Sequence, residues 1–158
     1  MMLKQFLQYT CIFSIIACNC NQQEADGEEK EVSVWSDRDT IIIWSADADK
    51  SIRKRIFTPD DSIDKAIPLI NGIHKIWPEA GLFVSGQRSD TLMVGLRNER
   101  WLTDEIGNDG AESFLSFASL NLLELKGVNH IFFNITPGTH AGSDTWEDID
   151  FADWKEGK

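Results

Sequence analysis

The sequence predicts a single α+β domain in which two helices cover one face of a mainly antiparallel sheet. Apolar stretches of strand length alternate with two segments of helical periodicity, in the order strand, helix, strand, helix, strand. The predicted domain, residues 40–158, is long enough to bury one core and too short for two domains of ordinary size. A parallel sheet covered on both faces would need more than two helices, so it is the less favoured architecture.

The first two elements are a buried strand and a helix that contains a proline. Residues 40–44 form a continuous β-branched and apolar run, typical of a central buried strand. A helix is predicted over residues 62–77, with the polar residues 60–62 as candidate caps. Because Pro68 cannot donate a backbone hydrogen bond, the helix either bends there or begins at 67–68 with Pro68 in its first turn. Its predicted buried positions recur at steps of three and four: Ile63, Ile67, Ile70, Ile73 and Trp77.

The clearest element is a second helix over residues 108–125. Asn108 or Asp109 can cap it, and Glu112, three residues past Asp109, completes a capping box. Gly127 suits the left-handed position at which helices commonly end. The predicted buried stripe of this helix consists of Ala111, Leu115, Ala118, Leu122 and Leu125.

Strands are predicted on both sides of this helix. After a turn at 86–90, residues 91–96 present alternate apolar side chains, and residues 128–135 do the same after the helix. Two less regular segments, 51–57 and 81–85, are further candidate strands. The expected inward-facing residues of the two regular strands are Leu92, Val94, Leu96, Ile131, Phe133 and Ile135.

The N-terminus has the pattern of a cleaved bacterial lipoprotein signal peptide, residues 1–17. A basic residue precedes an apolar stretch, and the small residue Ala17 stands directly before Cys18. In this processing chemistry the Cys18 thiol is alkylated by a diacylglycerol, cleavage frees its amino group, and acyl chains such as palmitate anchor the mature chain in the membrane. The alternative is an uncleaved transmembrane anchor, but the apolar run is short and is interrupted by polar residues. The predicted location is therefore the cell envelope, either periplasmic or surface-exposed.

Residues 18–39 are predicted to form a disordered, acidic tether between the membrane and the domain. Residues 19–31 are polar and acidic, with nothing to bury. Acidic residues this soon after a lipidated cysteine resemble the surface-export signals of some bacterial lipoproteins, and a merely soluble linker is the alternative. Cys18 and Cys20 are the cysteines of the mature chain. With Cys18 lipidated, Cys20 has no intramolecular partner, so packing alone must hold the fold together.

The chain is strongly acidic, with 26 Asp and Glu residues against 15 Lys and Arg residues. Removal of residues 1–17 takes away one charge, that of Lys4, and leaves a formal net charge of −12 with histidine neutral. Such a surface repels phosphate backbones, so no nucleic-acid partner is predicted. The basic cluster at residues 53–55 has aspartates on both sides and is predicted to be a solvated strand or turn.

The sequence contains no recognised catalytic or phosphate-binding motif, so no catalytic residue, metal site or cofactor is predicted. His74 and His130 fall in regular elements and are expected to be ordinary surface or packed side chains. His140 lies in a loop that precedes several carboxylates, where a solvated loop is favoured over a metal ligand. Trp146 and Trp154 lie among those carboxylates. They offer flat apolar faces to a sugar or peptide, unless the chain end packs back onto the sheet.

A family resemblance covers most of the predicted domain, from about residue 40 to residue 151. The motifs that carry it are Asp90-Thr-Leu-Met-Val-Gly-Leu96, Trp101-Leu-Thr-Asp-Glu-Ile-Gly-Asn-Asp-Gly-Ala111, the Asn121-Leu122 pair within 114–125, Gly127-Val128 ahead of Ile131-Phe132-Phe133, and Gly138-Thr-His-Ala141 ahead of Asp150-Phe151. On these motifs the chain resembles the GerMN domain, a sporulation and spore-germination module also found in bacterial envelope lipoproteins. The resemblance implies a small α+β module tied to envelope assembly or ligand binding, with no enzymatic residues to carry across. One departure is the Gly-Ser-Asp sequence at 142–144, where a proline-glycine pair is expected after His-Ala.

These observations predict a non-enzymatic, envelope-anchored lipoprotein whose domain binds an envelope partner, either a protein or a polysaccharide. Cys18 is the predicted lipid attachment site, and His140 and Trp146 are the candidate binding residues. A first alternative is a hydrolase that uses His140 and a nearby carboxylate, although no nucleophile motif accompanies them. A second alternative is a structural spacer, in which Trp146 and Trp154 are buried and no concave apolar pocket exists.

Overall fold

The computed structural model describes residues 36–37 and 39–157, all of which belong to one structural unit. The predicted signal peptide, Cys18 and the greater part of the predicted tether lie outside the described residues. Among the residues that it describes, no helix combines the length and the apolar character needed to cross a membrane.

The described part of the chain contains nine β-strands, two α-helices, one π-helical turn and one 3₁₀-helix. The strands are β1 (Ser36–Asp37), β2 (Thr40–Ile41), β3 (Trp44–Asp47), β4 (Ile52–Arg55), β5 (Leu82–Arg88), β6 (Thr91–Leu96), β7 (His130–Phe133), β8 (Asp144–Glu147) and β9 (Lys155–Glu156). The helices are α1 (Ala66–Ile76), the π-helical turn (Trp101–Glu105), α2 (Gly107–Leu122) and the 3₁₀-helix (Asp148–Phe151).

The predicted α+β class is confirmed, because mostly antiparallel sheets are combined with two α-helices. The strands do not form the single sheet that was expected. They form a hairpin of β1 and β2, a three-stranded sheet β3-β4-β9 and a four-stranded sheet β5-β6-β7-β8. Four of the six described strand pairs are antiparallel, and β4–β9 and β6–β7 are parallel. The π-helical turn and α2 lie within the long connection that the parallel β6–β7 pair requires.

The helix α2 forms the centre of the core. Every residue from 114 to 122 is buried, and all positions of the predicted stripe are buried as well. Phe114 meets Phe133 of β7 edge-on, with ring centroids 6.4 Å apart, and Asn121 bonds to the start of β3. Because residues 114–122 of α2 are buried on every side, the buried surface is wider than the one-sided stripe that the apolar pattern predicts.

The ends of α2 differ from the prediction. The helix begins at Gly107, directly after the π-helical turn, and the residue before it has helical backbone angles. Asn108 and Asp109 therefore lie inside the first turn and do not cap it. A side-chain cap requires a non-helical residue before the helix, and here the preceding residues are already helical. At the other end, Gly127 has a φ of +77°, but it lies in the turn after the helix and not at the helix end.

The structure settles the position of Pro68 in favour of the second alternative. The helix α1 begins at Ala66, so Pro68 lies in its first turn, where its missing N–H has no helical partner to lose. Residues 60–62 precede this start and do not cap the helix, and no side chain provides a capping hydrogen bond.

The buried face of α1 differs in part from the predicted stripe. Its buried residues include Leu69 and Ile73, whereas the side chain of Ile67 is 67% exposed. Gly72 explains why this side of α1 faces inward. A Cβ atom at position 72 would lie 2.1 Å from the carbonyl oxygen of Ile41, so only glycine fits there. Glycine therefore allows α1 to pack directly against the backbone of β2, and the contact determines which side of the helix faces inward.

The predicted strand over residues 40–44 is buried but is not continuous. Ile42 and Ile43, which are 1% and 0% exposed, separate β2 from β3. The backbone N–H groups of Ile43 and Trp44 both donate to the side-chain oxygen of Asn121. A side chain from a helix distant in sequence therefore takes hydrogen bonds that a sheet neighbour would otherwise accept.

The remaining predicted strands are confirmed with adjusted bounds. The strands β6 and β7 bury the alternate residues expected to face inward, except that Ile135 is buried two residues past the end of β7, and β4 and β5 occupy the two less regular segments. Because β5 extends to Arg88, the turn before β6 is reduced to Ser89 and Asp90. Ser89 has a φ of 53°, which a two-residue hairpin turn requires at this place.

Candidate functional site

His140 lies in the loop between β7 and β8, and this loop packs against the π-helical turn and the first turn of α2. The backbone N–H of His140 donates to the Thr103 carbonyl over 2.8 Å, and its ring Nδ1 lies 2.8 Å from the side-chain oxygen of Asn108. The neighbouring Thr139 donates through its N–H and its hydroxyl to Asp104, over 3.2 and 3.1 Å. Backbone and side-chain contacts together hold this loop in place.

Asp104 is the charged anchor of the His140 loop. Hydrogen bonds from the backbone N–H of Thr139, and then from the hydroxyl of Thr103, hold the pKa of the Asp104 carboxyl below its ordinary value of 3.8. Each of these bonds favours the ionised carboxylate, because the carboxylate is the acceptor. Asp104 is thus engaged in holding the loop.

Trp146 belongs to β8 and is half-buried. It stands opposite Ile131 of β7, a residue of the buried sheet face. Its ring stacks on the buried Phe151, with centroids 5.6 Å apart and an interplanar angle of 26°. Trp154 meets Phe151 edge-on, with centroids 5.2 Å apart. The chain end therefore does pack back towards the sheet, and both tryptophans take part in that packing.

One face of α2 connects the two candidate binding residues. Asn108, Glu112 and Ser116 follow one another at intervals of four residues, so they share this face. His140 contacts the first of the three. Trp146 lines a groove together with the other two. His140 does not line this groove, so His140 and Trp146 lie along a common helix face without sharing one pocket.

This groove, which we call the tryptophan groove, has a volume of about 350 Å³. It is lined mainly by three carboxylates, one serine and two indole rings: Glu112, Asp144, Asp150, Ser116, Trp146 and Trp154. The sequence predicts the tryptophans as candidate ligand contacts and Glu112 as part of a capping box. The i, i+4 spacing of Glu112 and Ser116 on a helix was the available signal, since it places both on one face.

Two donors at the tryptophan groove lack acceptors. The hydroxyl of Ser116, a residue that is 0% exposed, has no hydrogen-bond partner among the described residues, and neither has the buried Nε1–H of Trp146. The carboxylates are partly engaged by backbone, because Asp150 accepts from the Glu147 N–H over 2.7 Å and Asp144 from the Thr145 N–H over 2.8 Å. Unpaired buried donors are uncommon in folded proteins, so the pair calls for an explanation.

A second concavity, which we call the Arg53 cleft, lies at the C-terminal end of α2 and has a volume of about 390 Å³. Residues that line it include Trp44, Arg53, Leu120, Val128, His130 and Ile149. The guanidinium groups of Arg53 and Arg55 lie over the Trp44 ring, 5.4 and 4.2 Å from its centroid. The basic cluster is therefore a strand, as predicted, but two of its side chains pack on an aromatic ring. Their spacing of two residues in a strand places them on one side and was the signal for this contact.

The other histidines make structural contacts. The Nε2 atom of His74 lies 2.8 Å from the Leu82 carbonyl oxygen and links α1 to β5. His130 lies between two carboxylates, with Nδ1 3.5 Å from Asp90 and Nε2 3.4 Å from Glu147. Within residues 36–37 and 39–157, no group of three or more His, Cys, Asp or Glu side chains is arranged to hold a metal ion.

Comparison with protein-family models, with curated proteins and with solved structures gave no match.

Proposed function

We propose that this chain is a non-enzymatic, envelope-anchored lipoprotein whose domain binds a polysaccharide in the tryptophan groove. The observation that carries the proposal is the pair of buried donors without acceptors, Ser116 and Trp146, beside three carboxylates and two indole rings. The lipid anchor on Cys18 and the envelope location rest on the N-terminal sequence pattern. The GerMN resemblance is compatible with such a role and stays a prediction.

Sugar hydroxyls match the chemistry of this groove. A hydroxyl donates one hydrogen bond and accepts others, so it can donate to the carboxylates, and it can accept from Ser116 and from the Trp146 N–H once these side chains turn towards the groove. The C–H face of a sugar ring is apolar and flat enough to pack on an indole ring. A lysine-rich peptide would also bring donors for the carboxylates and carbonyl acceptors for Trp146, but it lacks the flat C–H face that packs on an indole ring.

The free-energy cost of unpaired donors and the net charge of the chain both favour a ligand that bears hydroxyl groups. Each unpaired buried donor costs about 1–3 kcal/mol, so a ligand oxygen that reaches it removes a penalty in addition to making a contact. The formal net charge of −12 predicted for the mature chain repels polyanions over the range of a Debye length. A neutral or amino-bearing polysaccharide is therefore preferred over an acidic one.

The hydrolase alternative depends on His140 beside a carboxylate. In the described structure the His140 ring pairs with the amide oxygen of Asn108, and the nearby Asp104 is engaged by Thr139. This arrangement gives no support to general acid–base chemistry at His140. The spacer alternative requires buried tryptophans and no concave apolar pocket, whereas Trp146 and Trp154 are half-buried and line a groove whose walls are mainly carboxylates.

The test measures binding of neutral and amino-bearing oligosaccharides to the purified chain by isothermal titration calorimetry. Trp146→Phe keeps an aromatic ring on Phe151 but removes the N–H together with part of the indole, and Ser116→Ala removes only the hydroxyl. We expect each change to weaken binding about fivefold, since one hydrogen bond is worth about 1 kcal/mol. Thermal stability of Ser116→Ala should not fall, because it deletes a buried hydroxyl that has no partner, whereas Trp146→Phe also loses part of the stacking on Phe151.

Glu79→Gln is the matched control, because it neutralises an exposed carboxylate that does not line the groove. Its oligosaccharide affinity should equal that of the unmodified chain. The proposal fails if no oligosaccharide binds, or if Trp146→Phe and Ser116→Ala bind as tightly as the control. Tight binding of an oligolysine peptide in place of oligosaccharides would assign the groove to cationic partners.

A further inference from the structure

The Arg53 cleft is separate from the tryptophan groove, and the two share no lining residue. It lies where β3 and β4, the C-terminal end of α2 and the 3₁₀-helix meet. Its volume of about 390 Å³ falls within the range of sites for small molecules and single side chains of partners. Its lining combines apolar side chains with one arginine, one histidine and three carboxylates.

Arg53 is an immobilised cation with an unused donor. Its side chain is 18% exposed, and its guanidinium carbon lies 5.4 Å from the centroid of the Trp44 ring. Its Nε–H is buried and has no acceptor among the described residues. A guanidinium that is held on an aromatic face and has one weak carboxylate partner at its terminal nitrogens is suited to bidentate recognition of an oxyanion.

Two of the three carboxylates of the cleft already have partners. Glu124 accepts a hydrogen bond from Nε1 of Trp44 over 2.7 Å and a second from the guanidinium of Arg55. Glu147 lies 3.4 Å from Nε2 of His130. Their charges are therefore directed at these partners, and neither makes a hydrogen bond or ion pair with the guanidinium of Arg53.

The third carboxylate, Asp148, pairs weakly with Arg53. The contact between Arg53 Nη1 and the Asp148 carboxylate is 3.5 Å long, and the Asp148 side chain is 88% exposed. Exposed pairs of this kind contribute little to stability, because water solvates the carboxylate nearly as well as the partner does. An incoming anion can therefore replace Asp148 at small cost.

Apolar side chains surround this cation. Leu120 and Val128 are 3% and 5% exposed, and both line the cleft. Ile149, at its rim, is 71% exposed and is among the large apolar side chains that the described fold leaves in water. A ligand with an apolar body would cover Ile149 and gain the corresponding hydrophobic free energy.

We infer that the Arg53 cleft binds a singly charged carboxylate carried on an apolar body. The carboxylate would accept from the terminal N–H groups of Arg53 and displace Asp148, while the apolar body packs against Leu120, Val128 and Ile149. A single charge is favoured because the neighbouring carboxylates repel a multiply charged anion such as phosphate. Two sources share this chemistry, a short fatty acid and the C-terminus of a peptide that ends in an apolar residue.

The test is a titration of the full chain, labelled with [¹⁵N]arginine and held in detergent, followed through the Nε–H resonance of Arg53. The probes are hexanoate, N-acetylleucine, hexanamide and inorganic phosphate. We expect hexanoate or N-acetylleucine to shift this resonance and to bind at least about tenfold more tightly than hexanamide or phosphate. The better of the two carboxylates identifies the source as a fatty acid or as a peptide C-terminus.

Three variants sharpen the test. Arg53→Lys keeps the charge but loses the fork and should weaken hexanoate binding about tenfold, whereas Arg88→Lys, at an exposed arginine outside the cleft, should not change it. Asp148→Asn should tighten hexanoate binding, because it removes the competing anion. This second variant keeps the test valid even if Arg53→Lys fails to fold. The inference is overturned if neither carboxylate shifts the Arg53 resonance, if hexanamide or phosphate binds as well as hexanoate, or if Asp148→Asn weakens binding.

Discussion

Asn121 joins α2 to the segment that leads into β3 through four side-chain hydrogen bonds. Its side-chain oxygen accepts from the N–H groups of Ile43 and Trp44 over 2.7 and 3.0 Å. Its side-chain nitrogen donates to the carbonyl oxygens of Trp44 and Phe117 over 3.0 and 2.8 Å. Asn121 is 0% exposed, so one buried amide uses its full hydrogen-bonding capacity to fasten the chain before β3 to the last turns of α2.

We expect Asn121→Leu to lower the free energy of unfolding by roughly 3 kcal/mol or more, as judged from urea denaturation midpoints at equal slope. The physical reason is that the change leaves the N–H groups of Ile43 and Trp44 and the carbonyl of Trp44 buried without partners. Ser119→Ala is the matched control, because Ser119 is equally buried on α2 but its hydroxyl has no partner. Comparable losses for the two variants would show that Asn121 has no special role.

Asp104 leads to a pH prediction for the His140 loop. Its pKa lies below the ordinary value of 3.8 in the folded state, so its contribution to loop stability is present above that value and is lost as the pH falls through the lowered pKa. We therefore expect the amide N–H of Thr139 to lose its protection from hydrogen exchange only in that acidic range. Asp104→Asn should show reduced protection at neutral pH already. Protection that does not depend on pH, together with an unchanged Asp104→Asn variant, would contradict the assignment.

At the scale of elements, the two helices illustrate what a periodic pattern can and cannot predict. The stripe predicted for α2 is buried throughout. Its apolar residues face the core, and this does not depend on which other elements pack against the helix. The stripe predicted for α1 includes the exposed Ile67 and omits the buried Leu69. The apolar residues of α1 are spread widely around the helix, and the close contact at Gly72 selects the inward face.

We expect Leu122→Ala in α2 to destabilise the domain by about 2–5 kcal/mol, because it leaves a cavity in the centre of the core. Glu112→Ala, at an exposed position of the same helix, should cost far less. Glu124→Ala should fall between them, since it removes the acceptor of the Trp44 Nε1–H and the partner of Arg55. Denaturant midpoints for the three variants check this order, and a Glu112→Ala loss as large as that of Leu122→Ala would refute it.

At the scale of the whole molecule, the proposed function joins a lipid anchor, an acidic tether and a binding domain. We expect Cys18→Ala to abolish labelling by a fatty-acid analogue and to leave the precursor unprocessed, because lipid transfer precedes cleavage. Cys20→Ala is the matched control and should be labelled and processed normally. Label retained in Cys18→Ala and lost in Cys20→Ala would move the anchor by two residues.

The candidate site was predictable only in part. Trp146 was singled out for its polar surroundings, and the structure places it on a groove, but its ring also packs on Phe151. His140 lies along the same helix face, in a loop of its own. Ser116 was not predicted, because a buried serine without a partner can be identified only once the surrounding elements are in place.

The sequence by itself determined the properties that depend on near neighbours along the chain. These include the α+β class, the buried stripe of α2, the positions of most strands, the acidic charge and the lipoprotein pattern that ends at Cys18. Each follows from residue types at spacings of one to a few positions, and such patterns can be read without knowledge of what packs against them.

The tertiary structure alone decided where distant segments meet. The contact of Asn121 with Ile43 joins residues 78 positions apart and divides a run that reads as one strand. The stacking of Arg53 on Trp44 turns a cluster that reads as solvated into one wall of a cleft. No local pattern encodes such contacts, because the partner that satisfies a buried donor or covers an apolar face is chosen by packing across the whole domain.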